Sequence, residues 1–253
     1  MTLIQQLTEV VKLYTNEIEL IEQFLKSVEQ SLSRKQKRKP PKTFTDEEKS
    51  QIQKIGELFE ELTSGKKTKE IELEVSDNVS KLLTQITIPI IHKGYLAEMA
   101  LAYLVSHQEA FIKDYIYQIL IHKKDMLKSS STISIDHVIG FTSIKSLVAS
   151  MAQKEVDGIG YGSIDDVSSY LERKLNLLLS EFDEWEALRE INYRRNLLIH
   201  NRGKTNDLYC KKTGYKQKNT NLTTDYDYVA KAIKTIQSFI IYFHEKVENK
   251  LKL

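Results

Sequence analysis

Arg195-Asn196-Leu197-Leu198-Ile199-His200, continued by Asn201-Arg202-Gly203, sets an arginine and a histidine at the end of a helical pattern with no metal-ligating residues beside them. A guanidinium can stabilise charge that builds on a phosphate, and an imidazole, which titrates near neutrality, can take a proton from an attacking hydroxyl. The combination suits metal-free phosphodiester chemistry. At about 100° per residue, Trp185, Ile191, Leu198 and Ile199 fall within roughly 80° of Leu188 and form an inward apolar stripe. Arg195 lies about 20° from Leu188, inside that stripe. An isolated charge there costs several kcal/mol and arginine cannot shed its proton, so the guanidinium must meet a carboxylate, a phosphate or a polar cleft. Asn201 and Gly203 also suit a plain helix stop, and a histidine in the last turn is favoured by the helix dipole.

Among the carboxylates, Glu109 and Asp114 flank Phe111 on a long helix that should pack against the motif helix. Glu109 is the candidate to orient Arg195, because a carboxylate satisfies a buried guanidinium and fixes its position. Asn196 lies four residues before His200, about 40° away, within hydrogen-bonding reach of the ring or of a bound phosphate. Arg194, Arg202 and Lys204 cluster within ten residues of His200 and are candidate phosphate contacts, or surface charge at a helix end. His92, His107 and His122 are spaced too widely to chelate one ion, and His137 and His244 lack ligand pairs, so no metal site and no cofactor are expected. The single cysteine, Cys210, excludes an intramolecular disulfide. Gly158-Ile-Gly-Tyr-Gly162 follows no strand and reads as a plain loop.

The Arg-Asn-x-x-x-His-Asn-x-Gly pattern on a late helix resembles the signature of the HEPN superfamily of helical RNases and nucleotide-binding proteins. Glu109-Ala-Phe-Ile-Lys-Asp114, Ile133 to Ile144, Asp183-Glu-Trp-Glu, His200 to Asn206, Tyr209 and Lys211 to Gly214 extend the resemblance over residues 90 to 250. It implies a metal-independent endoribonuclease with Arg195, Asn196 and His200 as catalytic residues and RNA as partner, in a toxin or antiphage-defence role. It also implies a homodimer that composes one cleft from two motif helices. The wheel adds a geometric motive, since Arg195 and His200 lie about 140° apart and converge poorly on one ideal helix. One position departs from the family's nucleotidylation targets, which carry tyrosine two residues after the histidine; Arg202 stands there. Two other classes stay open: a module that binds RNA or nucleotide without cutting, and a helical scaffold.

These residues need rigid elements to hold them, and the chain supplies helices. Three prolines, nine glycines and apolar residues at three- and four-residue spacing predict an all-α fold, a HEPN-like helical bundle with an additional long N-terminal helix or hairpin. Helices are expected at 3–33, 45–62, about 78 or 89 to 127, 142–155, 164–178, 184–200, 206–212 and 224–249. Lys69 to Ser76 alternates and suggests a short strand or extended connector. The run 34–42, basic and ending in two prolines, reads as an exposed linker, without the interleaved aromatics that stack bases. Residues 1–65 are therefore expected to form an N-terminal extension, whose long helix could bind a protein partner, and 66–253 the main domain. With 41% hydrophobic and 28% charged residues and a net charge of +2, any nucleic-acid contact must come from local clustering. The apolar run 86–105 is interrupted by Pro89, His92, Lys93 and Glu98, so no membrane span is expected, and with no secretory signal visible the expected location is the cytoplasm.

Overall fold

The computed structural model describes residues 1–36, 44–63, 74–128, 134–160 and 162–251, with backbone alone at 34–36, 58–63, 136 and 137. The fold is all-α. Its helices are α1 (Leu3–Gln36), α2 (Asp46–Thr63), α3 (Asp77–His122), α4 (Ile135–Ile139), α5 (Ile144–Ile159), α6 (Ile164–Leu175), α7 (Trp185–Asn201), α8 (Asp207–Thr213) and α9 (Tyr226–Leu251), with short 3-10 turns at Lys124–Leu127 and Leu179–Glu181. Among the described residues the only β-type pairing is one bridge between Lys204 and Asn221. Most of the basic run 34–42 and of the alternating segment 69–76 lies outside the described residues; 74–76 carry no regular structure. No described helix is long and apolar enough to cross a membrane.

Local sequence sets most helix starts. Thr45 accepts from the Glu48 amide while the Glu48 carboxylate takes the Thr45 amide, and Ser163 and Asp166 exchange the same pair of bonds at the head of α6. Asp225 accepts from the Tyr228 amide in front of α9. The pair Asp183 and Glu186 forms no such box: Glu184 takes the cap position of α7 without a side-chain cap bond, its carboxylate accepting from Thr235 at 2.5 Å, and Glu186 turns to Arg189.

Contacts divide the chain differently from the expected boundary at 65. One unit comprises Met1–Phe24 with Ala97–Leu253, and the other Leu25–Leu96. The reason lies in α1, whose early turns are core rather than extension. Leu3, Leu7, Tyr14 and Ile18 are buried, and Tyr14 donates to Asp114 at 2.6 Å and packs edge-on against Phe111. His107 is buried against the Tyr14 ring, with Glu17 at 3.3 Å. A chain of aromatic contacts through Phe111, Tyr115, Phe243, Phe239 and Phe182 fills the centre of this unit, joining α3 to α9. In the smaller unit, Glu48 accepts from Ser76 at 2.8 Å and Asn78 at 3.1 Å, tying α2 to the head of α3.

The motif helix departs from the ideal wheel at its end. Trp185, Leu188 and Ile191 are buried as expected, but Ile199 is 53% exposed and Leu197 is buried instead. α8 packs against α7.

Candidate functional site

The candidate site lies wholly within the larger unit. α7 carries Arg195, Asn196 and His200 to one cavity of about 400 Å³, walled also by Glu109 of α3, by Gly160, Gly162 and Ser163 ahead of α6, and by Leu208 and Tyr209 of α8. Arg195 donates through Nη2 to Glu109 Oε1, so the guanidinium has the carboxylate that its place in the apolar stripe demands. The Arg195 side chain is 14% exposed, and its Nε is buried with no hydrogen-bond partner. A buried donor left unpaired costs about 1–3 kcal/mol, and an anion in the cavity could relieve it. His200 is exposed at the cavity margin. Asn192 is buried beneath, donating to Gln108 at 3.2 Å and to the Leu188 carbonyl at 2.8 Å, which holds α7 against α3 at the level of the cavity.

One chain thus brings Arg195, Asn196 and His200 to the same space, and the divergence read from the wheel gives no motive for pairing two chains. The wheel positions only Cα directions. The cavity extends from Arg195 past Asn196 to His200, and Asn196 lies between the other two in angle.

Arg194, expected at phosphate, is engaged elsewhere. Its Nε donates to Glu190 at 2.7 Å, its Nη1 to the Thr223 carbonyl at 3.0 Å, and its guanidinium lies 4.0 Å from the centre of the Tyr228 ring. Glu190 also accepts the hydroxyls of Tyr209, at 2.5 Å, and of Tyr228. Burial alone would lower the Arg194 pKa, but Tyr228 and Glu190 outweigh it and hold the guanidinium above its usual range. Burial and the Glu190 carboxylate push both tyrosines well above theirs. This cluster joins α7 to α8 and α9 and fixes Tyr209 as a cavity wall. Arg202 and Lys204 are exposed and do not line the cavity. Arg202 itself closes α7 in the left-handed region, at φ 52°, with Gly203 following at φ 74° and donating to the Leu197 carbonyl.

A second polar cluster joins the helices that wall the cavity. Asp165 at the head of α6 accepts from Arg189 Nε at 2.8 Å and Nη2 at 3.2 Å, from Lys212 at 2.7 Å and from Tyr193 at 3.0 Å. Burial would raise its pKa, but hydrogen bonds from Arg189, Lys212 and Tyr193 prevail and hold it at about 2. α6, α7 and α8 are thereby clamped around the cavity. Sequence reasoning missed this clamp, and it missed the contribution of Gly160 and Gly162 to the wall; the glycine-rich spacing of 158–162 was the one signal for the latter. Among the described residues no three His, Cys, Asp or Glu side chains gather in a metal-binding group.

Comparison of the chain with known protein families, with curated proteins and with solved structures finds no match. The class that the fold and the cavity define is an all-α protein with a polar cavity built on a late helix.

Proposed function

We propose that the protein is a metal-independent endoribonuclease of HEPN type, a reading that rests on the resemblance of its motif and is supported by one observation above others: Arg195, Asn196 and His200 share a single cavity, and the Arg195 guanidinium, oriented by Glu109, keeps a buried Nε–H without a partner. His200 takes the proton of an RNA 2′-hydroxyl, whose oxygen attacks the adjacent phosphorus. The bond to the 5′-oxygen breaks, that oxygen is protonated from solvent, and the products are a 2′,3′-cyclic phosphate and a 5′-hydroxyl. Arg195 stabilises the added charge on the phosphoryl oxygens, a contribution of about 2.7–4 kcal/mol for one donor in comparable sites. Asn196 steadies the ring or the phosphate.

Incubation of the purified protein with total RNA in EDTA, followed by end-group analysis, tests this. Cyclic phosphate ends are expected; a requirement for magnesium, or intact RNA, overturns it. A second reading has its own observation: among the described residues no hydrogen bond orients the His200 ring, as a binding site without catalysis would allow. In that case RNA binds and stays whole. The toxin or defence role, the homodimer and a protein partner through α1 belong to the same proposal as implications of the resemblance or of helix length.

A further inference from the structure

Lys113 stands one helical turn after Glu109 on α3, half-buried, and among the described residues it has neither an ion pair nor a hydrogen bond. Its side chain runs across Gly160: a β-carbon built on that glycine would overlap Cε and Nζ of the lysine. Gly160 has helical angles, φ −68° and ψ −13°, which any residue adopts. The absent side chain at 160 leaves the space through which the end of the lysine passes. Lys113, Gly160, Glu109 and Asn192 line a small cavity of about 20 Å³. Glu109, Gly160 and Asn192 are also walls of the large cavity, so the two adjoin.

The other charges around the cavity are matched. Glu109 is matched by Arg195, Asp165 by Arg189 and Lys212, and the Asp166 carboxylate accepts the Ser163 amide and hydroxyl. Among the described lysines and arginines that line the two cavities, Lys113 is the one without such a pairing. An unpaired ammonium beside a polar cavity is a point charge suited to phosphate. Arg195 lines the large cavity and Lys113 only the small one beside it, so a phosphate that met the lysine would be a different one from that at Arg195.

We infer that Lys113 contacts the phosphate next to the one held by Arg195, making the cavity a reader of a polynucleotide backbone rather than of a single phosphate; this rests on the proposed RNA substrate. The probe is a fluorescein-labelled, uniformly 2′-O-methylated oligoribonucleotide, which cannot undergo attack by a 2′-hydroxyl. Its binding is followed by anisotropy over a range of salt concentrations for the full chain and its variants, with Trp185 fluorescence confirming that each variant folds. Lys113→Gln is expected to weaken binding about tenfold at low salt and to reduce the slope of log K against log salt by about 0.7, the loss of one phosphate contact on a single strand. Lys113→Arg, which keeps the charge, should retain the wild-type slope. Wild-type affinity and slope in Lys113→Gln, or a Lys113→Arg slope as low as that of Lys113→Gln, overturns the inference, and RNA cleavage by the same wild-type preparation shows that the proposed activity survives it. A wild type that neither binds the probe nor cleaves RNA overturns both.

Discussion

Arg194 and Arg195 are neighbours in sequence, each holds a glutamate, and the structure gives the two pairs different tasks. The test is to neutralise each glutamate in turn. Glu190 is 25% exposed and accepts from the Arg194 guanidinium, itself 14% exposed, and from two tyrosine hydroxyls. Breaking a buried pair costs about 3–5 kcal/mol because the surviving charge is stranded. Partial access to water puts Glu190→Gln at the low end, about 3 kcal/mol, or a fall in Tm of roughly 6–12 °C for a unit of this size. Glu109 is 37% exposed and bounds a cavity, so water can replace it at the guanidinium. Glu109→Gln should cost about 1 kcal/mol or less. Urea or thermal unfolding followed by fluorescence isolates the effect, because the single tryptophan, Trp185, is buried on the helix that carries both arginines. A Glu190→Gln protein within about 1 kcal/mol of wild type, or a Glu109→Gln protein that loses as much as Glu190→Gln, would refute the division of labour.

Asp165 titrates at about 2 in the folded chain against 3.8 unfolded, so its clamp stabilises fully above pH 5 and is lost as the pH falls from 4 towards 2. Acid unfolding should show a loss of about 2 kcal/mol over that window that is missing in Asp165→Asn; an unchanged acid profile in the variant would remove the clamp from the account. His200→Ala and Arg195→Ala should each abolish cleavage in EDTA with the helical circular dichroism intact, and cleavage persisting in His200→Ala would exclude it as the base. If the implied homodimer forms, sedimentation velocity at micromolar protein should show a species of twice the chain mass; a strict monomer, with and without RNA, removes it from the proposal.

The helices were legible because apolar residues recur at helical spacing and because Thr45, Ser163 and Asp225 cap the helices they precede. The burial of Arg195 and its need for a polar partner could be read from a wheel, and Glu109 could be singled out as that partner from its place on the long helix expected to pack there. The environment of Arg194 could not. It is made by Thr223 and by Tyr228, brought from beyond α8, and no local pattern announces those partners. The same holds for the cavity, whose walls come from α3, α6, α7 and α8 and exist only after packing. The end of α7 misled in a smaller way: Gly203 invites the left-handed position, yet Arg202 takes that place first.

The larger unit closes only when two distant parts of the sequence meet. Tyr14, Ile18 and Leu7 belong to a core whose other members, Phe111, Tyr115 and Phe243, lie roughly a hundred or more residues downstream. During synthesis α1 therefore emerges long before its counterpart, an amphipathic helix with nothing of its own unit to lie against. Long loop closure slows such a step, and an apolar face waiting in the meantime is open to association with other chains. A fragment cut at residue 66, where a boundary would be drawn from sequence, would retain the motif helix but leave Phe111 and His107 without their cover. Newly made chains should then be most prone to aggregate between the appearance of α1 and the completion of α3.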